Sequence, residues 1–223
     1  MNNPNIILEE TKDGSHTLFV PAMNEHYHSV NGALQESMHV FIDAGLRKVE
    51  VEKISVLEIG FGTGLNAFLT LLESEKLQKE IHFTSLELYP LPENIYSKLN
   101  YGEIIAPEKA GLFTKLHQAE WEKSCEITPL FHLQKKKADL CQYDFGDEIY
   151  DLIYFDAFAP DKQPEMWHPE LFQKLSDHTN PGGILTTYCA KGVVRRAMQA
   201  AGYSVERLQG PPGKREMLRA TKI

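Results

Sequence analysis

The chain has 223 residues, 42% of them hydrophobic and 24% charged, which suits one soluble globular domain with at most an elaborated end. A net charge of −8 argues against a protein that coats nucleic acid without selectivity, and no window approaches the roughly 18 consecutive apolar residues of a membrane span. Three scattered cysteines (Cys125, Cys141, Cys189) and an N-terminus, "MNNPNIILEETKDGSH", that lacks the basic start and apolar core of a signal peptide point to a reducing, cytoplasmic setting.

Residues 1–50 carry few buried-strand signals and read as an N-terminal extension. Within them "HTLFVPAMNEHYHSVNGALQESMHVFIDAGL" predicts a short β-element and then a helix from about Asn31 to Ala44. His26 and His28 stand two apart with no further ligand cluster, so they read as polar surface or pocket lining, and no metal is expected. A regular alternation begins at Lys53 and defines a second region, 51–223. Strands are predicted at 54–59, 81–88, 129–135, 150–155 and 183–188. Helices are predicted at 65–77, near 93–101, at 108–124, 164–178 and 191–202, the last ending on Gly202. "YSVERL" and "REMLRATK", joined by a Gly/Pro loop, predict an antiparallel hairpin at the sheet's edge. Seven strands alternating with helices imply an α/β, doubly wound, mostly parallel sheet.

The loop after the first of these strands, "LEIGFGTGLN", has Gly60, Gly62 and Gly64, which let the backbone turn sharply and approach a ligand. The spacing is G-x-G-x-G, not the G-x-G-x-x-G of a dinucleotide fold, because Leu65 holds the sixth position. Glu58 two residues upstream would repel a pyrophosphate and suits a ligand with a positive end, such as the ammonium of S-adenosylmethionine. Glu87, at the end of the second strand, would accept both hydroxyls of a ribose, and Asp139, after the third, an adenine amino group. In "DLIYFDAFAPDKQ" an apolar strand ends on Asp156 and Pro160 stops it from continuing. A carboxylate there lies where open α/β sheets bind ligands.

"VLEIGFGTGLNAFLT" resembles motif I of class I S-adenosylmethionine-dependent methyltransferases. The fuller set, "NEHYHSVNGALQESMHVFI", "LELYPL", "YDLIYFDAFAPDKQPEMW", "TYCAKGVVRRAMQAAGYSVERL" and "GPPGKREML", resembles the methyltransferases of the MnmC and MnmD type, over residues 16 to 220. The resemblance implies a Rossmann-like, seven-stranded sheet with an antiparallel C-terminal strand, S-adenosyl-L-methionine as cofactor, and tRNA as partner. It also implies methylation of the 5-aminomethyl amine of a wobble (2-thio)uridine. Two-domain members add an FAD-dependent oxidoreductase. With one glycine loop and a chain ending at Ile223, the expectation is the methyltransferase alone. One departure is Leu88, where some relatives carry a basic residue.

Such chemistry needs an acid beside the amine to orient it and help a proton leave, and Asp156 is the candidate. Phe158 and Pro160 would wall the pocket. Trp167, and Tyr27 from the extension, would stack on the uracil ring. Residues 191–223 hold eight basic and two acidic groups, leaving −14 on residues 1–190. In that basic end Arg195, Arg196, Lys214 and Arg215 would hold phosphates of the anticodon stem-loop. Three alternatives stay open: an aminopropyltransferase of the spermidine-synthase type, a small-molecule amine N-methyltransferase, and a module that binds tRNA or nucleotide without turnover.

Overall fold

The structure, a computed structural model, describes residues 6–223; the first five residues of the predicted extension lie outside them. Strands β1 (Ile7–Glu10), β2 (His16–Val20) and β3 (Glu25–His26) form a small antiparallel sheet. Helix α1 (Ala33–Ser37) then runs without a break into a π-helical stretch, Met38–Asp43. The predicted helix is there, with its second half wound wider.

The α/β region follows in order: β4 (Lys53–Ile59), α2 (Leu65–Leu77), β5 (Glu80–Leu86), α3 (Glu93–Tyr96), α4 (Tyr101–Ile105), α5 (Ala110–Gln118), β6 (Ser124–Thr128), β7 (Phe131–Lys136), β8 (Tyr150–Phe155), α6 (Pro169–Asp177), β9 (Thr179–Thr187), α7 (Gly192–Ala200), β10 (Tyr203–Gln209) and β11 (Glu216–Lys222). The sheet order is β10-β11-β9-β8-β4-β5-β7-β6. The pairs among β7, β5, β4, β8 and β9 are parallel, while β6 and β11 run against their neighbours. All seven predicted strands are present, and the edge hairpin is β10–β11.

The eighth strand, β6, was hidden in the predicted helix 108–124. That helix ends at Gln118, Glu122 takes a left-handed conformation (φ 65°), and Ser124–Thr128 pairs with β7. The alternation is short: Ile127 is buried between exposed Glu126 and half-buried Thr128, a pattern too brief to outweigh the helical periodicity before it. The predicted helix 164–178 is likewise divided, into a 3-10 turn at Pro164–Trp167 and α6, each opening on a proline whose missing N–H costs nothing at a first helical position.

Strands β4 and β8 are buried on both faces, as central parallel strands must be. One core packs α2, the π-helical stretch and α5 on the sheet through Val56, Phe68, Phe83 and Tyr154. The other packs α6 and α7 through Ile59, Phe155, Phe172 and Met198. From β4 the chain moves outward through β5 to β7 and then returns to β8 on β4's other side. The order therefore reverses between β4 and β8, and a crevice opens beyond their C-terminal ends. Among the described residues no helix is long and apolar enough to cross a membrane.

Candidate active site

A cavity of about 470 Å³ lies at that switch point. The glycine loop after β4, Glu87 after β5, Asp139 after β7 and Asp156 after β8 all line it, so four strand ends converge as the sequence predicted. Residues 25–30 of the N-terminal segment close it from above, joined by Phe158, Tyr188 and Lys214.

The loop owes its shape to its glycines. Gly64 has φ 74° and caps α2 in the left-handed region, and Gly60 and Gly62 also have positive φ. A Cβ on Gly62 would come within 3.1 Å of the Tyr27 ring, so the close approach of the N-terminal segment depends on that glycine. Thr63 pins the same loop. His28 Nε2 lies 2.7 Å from its hydroxyl, and the His117 Nε2–H donates to its carbonyl at 3.0 Å. Burial pushes both imidazoles down to about 4, so they are neutral around pH 7.

Glu87 accepts the Gly62 N–H on Oε2 (2.9 Å) and the Tyr89 N–H on Oε1 (2.7 Å). Each oxygen keeps a further lone pair, the pair of acceptors to which the two hydroxyls of a vicinal diol can donate. Asp139 Oδ1 takes the Cys141 N–H at 2.9 Å, which holds the side chain at the strand end. These residues and the glycines fit an adenosyl group. Asp156 Oδ2 accepts from Asn66 Nδ2 at 2.9 Å. Its carboxyl is pushed up to about 7, first by burial and further by the charge on Glu36, while Asn66 and Lys214 oppose the rise. Asp156 therefore titrates in the neutral range. Tyr27 meets Phe158 edge to face at 5.2 Å, and the two rings wall the cavity beside it.

Several predicted residues stand elsewhere. Glu58 does not line the cavity: it is fully buried behind the loop, its Oε2 accepts from Ser85 Oγ at 2.5 Å, and burial raises its carboxyl well above the ordinary range. A group held that way is no free counter-charge for an ammonium. Trp167 is a core residue. Its Nε1–H donates to the Phe158 carbonyl at 2.7 Å, and its ring packs on Phe155, so it supports the wall without being available to stack on a base. Pro160 lines a shallow depression next to the cavity, with Lys191, Lys214 and Arg215. Arg196 and Arg215 are exposed and Arg195 half-buried; none of the three lines the main cavity. Lys214 is drawn inward, with Nζ 2.6 Å from Glu36 Oε1.

No sign in the sequence marked Glu36, Thr63 or Tyr188 as site residues. Asn66 had a weak one, following the glycine loop directly in "GTGLN". Away from the cavity, Glu80, His82 and His132 approach one another on β5 and β7, but Glu80 already pairs with Lys53 and His82.

Comparison with known proteins bears on this geometry. A family model described as S-adenosyl-L-methionine-dependent methyltransferase matches residues 111–223. A curated relative from Actinobacillus pleuropneumoniae serotype 5b (strain L20), "tRNA 5-methylaminomethyl-2-thiouridine biosynthesis bifunctional protein MnmC", is 31% identical over 218 residues, covering 86% of this chain and 31% of the relative. The chain thus spans about a third of that relative's length. The crystal structure of MNMC2 from Aquifex aeolicus superposes with a TM-score of 0.83 at 25% identity, covering 98% of this chain and 70% of that one. An S-adenosylmethionine-bound amino pentose methyltransferase, CalS10 from Micromonospora echinaspora, shares the fold at a TM-score of 0.50 and 14% identity, over 80% of this chain and 87% of that one. With more than half its length matched by that model and the glycine loop, Glu87 and Asp139 gathered at one switch point, the chain belongs to the S-adenosyl-L-methionine-dependent methyltransferase family.

Proposed function

We propose that the protein methylates the primary amine of 5-aminomethyl(2-thio)uridine at the wobble position of tRNA. The observation that carries this reading is Asp156: a carboxylate titrating near neutrality, at the cavity's floor beside the glycine loop, held by Asn66. The likeness to a relative named for 5-methylaminomethyl-2-thiouridine biosynthesis supplies the substrate class. When bound, the cofactor supplies an electrophilic methyl group.

The chain's own residues do the rest. Glu87 holds the ribose hydroxyls and Asp139 the adenine amino group. Asp156 draws in the aminomethyl ammonium, orients it, and takes up one of its protons on the carboxylate, which frees the nitrogen lone pair for attack on the methyl group. Tyr27 and Phe158 flank the base and exclude water, with residues 25–30 as the cover. Much of the acceleration comes from this alignment. A wobble base lies in a single-stranded loop, so no duplex is opened to reach it. The exposed Arg215, in the depression beside Pro160, and the exposed Arg196 on α7 hold backbone phosphates. The protein then works in the cytoplasm, where tRNA is.

Expression in cells whose tRNA accumulates the 5-aminomethyl nucleoside tests the reading. Nucleoside analysis should show conversion to 5-methylaminomethyluridine or its 2-thio form. Persistence of the aminomethyl nucleoside, with the protein soluble and binding S-adenosylmethionine, would contradict it.

A further inference from the structure

The basic residue that the sequence assigned to an RNA phosphate has instead a partner inside the cavity. Lys214 Nζ lies 2.6 Å from Glu36 Oε1 and 3.7 Å from the centroid of the Tyr188 ring. Glu36 is built in: its side chain is only 6% exposed, and its Oε2 accepts the Ser29 N–H at 2.8 Å. Tyr188 is fixed by its hydroxyl, which donates to the Ala157 carbonyl at 2.8 Å. Glu36, Tyr188, Lys214 and Asp156 line one wall of the same cavity. A buried carboxylate together with an aromatic face is the chemistry that recognises an alkylammonium. The group found in it is an alkylammonium on a flexible four-carbon stem.

We propose that Glu36 and Tyr188 form the seat of the acceptor's ammonium, and that Lys214 occupies this seat as a tethered stand-in which the incoming amine displaces. The inference rests on the reading that the acceptor is a primary amine. Lys214 also lines the outer depression beside Pro160 and Arg215, so its displaced head has a place to go, next to the RNA backbone. An unmodified uridine carries no cation to replace the lysine and leaves the seat shut. The arrangement makes Glu36 a specificity-determining residue, distinct from Asp156, which acts on the bound amine. If the lysine holds the seat nine-tenths of the time, it weakens apparent acceptor binding about tenfold.

Kinetics with a synthetic anticodon stem-loop carrying 5-aminomethyluridine test this, using Lys214→Met, Glu36→Gln and the double variant. Calorimetric binding of S-adenosylmethionine checks that each is folded. Lys214→Met should lower KM for the aminomethyl RNA by about 3- to 10-fold and leave affinity for the same RNA with plain uridine unchanged. Glu36→Gln should raise KM, and in the double variant the gain from Lys214→Met should vanish. A Lys214→Met protein that binds both RNAs more weakly would make the lysine a backbone contact and overturn the proposal. If Lys214→Met fails to fold, Lys214→Gln carries the same prediction. Should the wild type transfer no methyl to the amine, the proposed function falls and this seat with it; if it transfers while KM does not drop, the seat alone falls.

Discussion

At the scale of single residues, two carboxyls a few positions from their strand ends behave in opposite ways. Asp156 opens on the cavity and titrates near 7, whereas Glu58 is sealed behind the glycine loop. Because the folded value of Asp156 lies above its unfolded value of 3.8, its contribution to stability is complete below about pH 3.8 and is lost as pH rises through 7. Asp156→Asn keeps an acceptor for Asn66 and removes that loss. It should stabilise the protein by about 1–3 kcal/mol at pH 9 and by nothing near pH 4, measured by urea unfolding at both values. The same variant should lose at least about 100-fold in kcat while binding S-adenosylmethionine normally. On the proposed reading of Asp156, stability is given up here for chemistry. Glu58 makes a separate test. Its Oε1 and the Asn66 Oδ1 are both buried without partners, and burial raises the Glu58 carboxyl well above the ordinary range, so the proton it retains puts a donor among these unpaired acceptors. Glu58→Gln, which also donates, should stay within about 3-fold of wild-type cofactor affinity by calorimetry, and Glu58→Ala should lose more. A large loss in the Gln variant would restore a charged role for Glu58.

At the scale of elements, the glycine loop is held from outside by two imidazoles, His28 from the N-terminal segment and His117 from α5. Both are depressed to about 4 by burial, below the usual 6.5, so the stability they give is present above pH 6.5 and is lost as pH falls toward 4. Unfolding free energy should drop by several kcal/mol across that window, and His117→Gln should remove roughly half of the drop. An unchanged slope in the variant would place the acid sensitivity elsewhere. This loop and the strand ends around it were legible in the sequence because their chemistry is local: three glycines, a helix start, acids at the ends of apolar runs. What was not legible depends on chain separation. Glu36 and Lys214 are 178 residues apart, and nothing near either announces the other. Trp167 failed as a stacking residue for a related reason: aromatic residues beside an active-site loop pack inward as readily as outward. Strand β6 escaped because only Ile127 of its five residues is buried, too little apolar alternation to stand out against the helix before it.

At the scale of the whole molecule, the N-terminal helical segment, α1 with the π-helical stretch, meets the C-terminal hairpin and its Gly/Pro loop beside the cavity. Lys214 to Glu36 is one link, and the His39 Nε2 contact to the Gln209 carbonyl at 2.7 Å is another. Part of the basic end of an otherwise acidic chain is thereby brought beside the cavity: Arg215 lines the neighbouring depression, and both it and Arg196 on α7 are exposed. Replacing both by Ala should weaken tRNA binding and reduce the slope of log affinity against log salt by about 1–2, with cofactor binding intact. Equal slopes would move the RNA to another face. The central claim is that an amine is brought to Asp156 and methylated. Its most direct test is transfer of labelled methyl from S-adenosylmethionine to tRNA from cells lacking the methylamino modification, run with wild type and Asp156→Asn and followed by nucleoside analysis. Label in 5-methylaminomethyluridine or its 2-thio form for the wild type, and almost none for the variant, is the expected result. Label in any other nucleoside, or equal label from both proteins, would contradict the account.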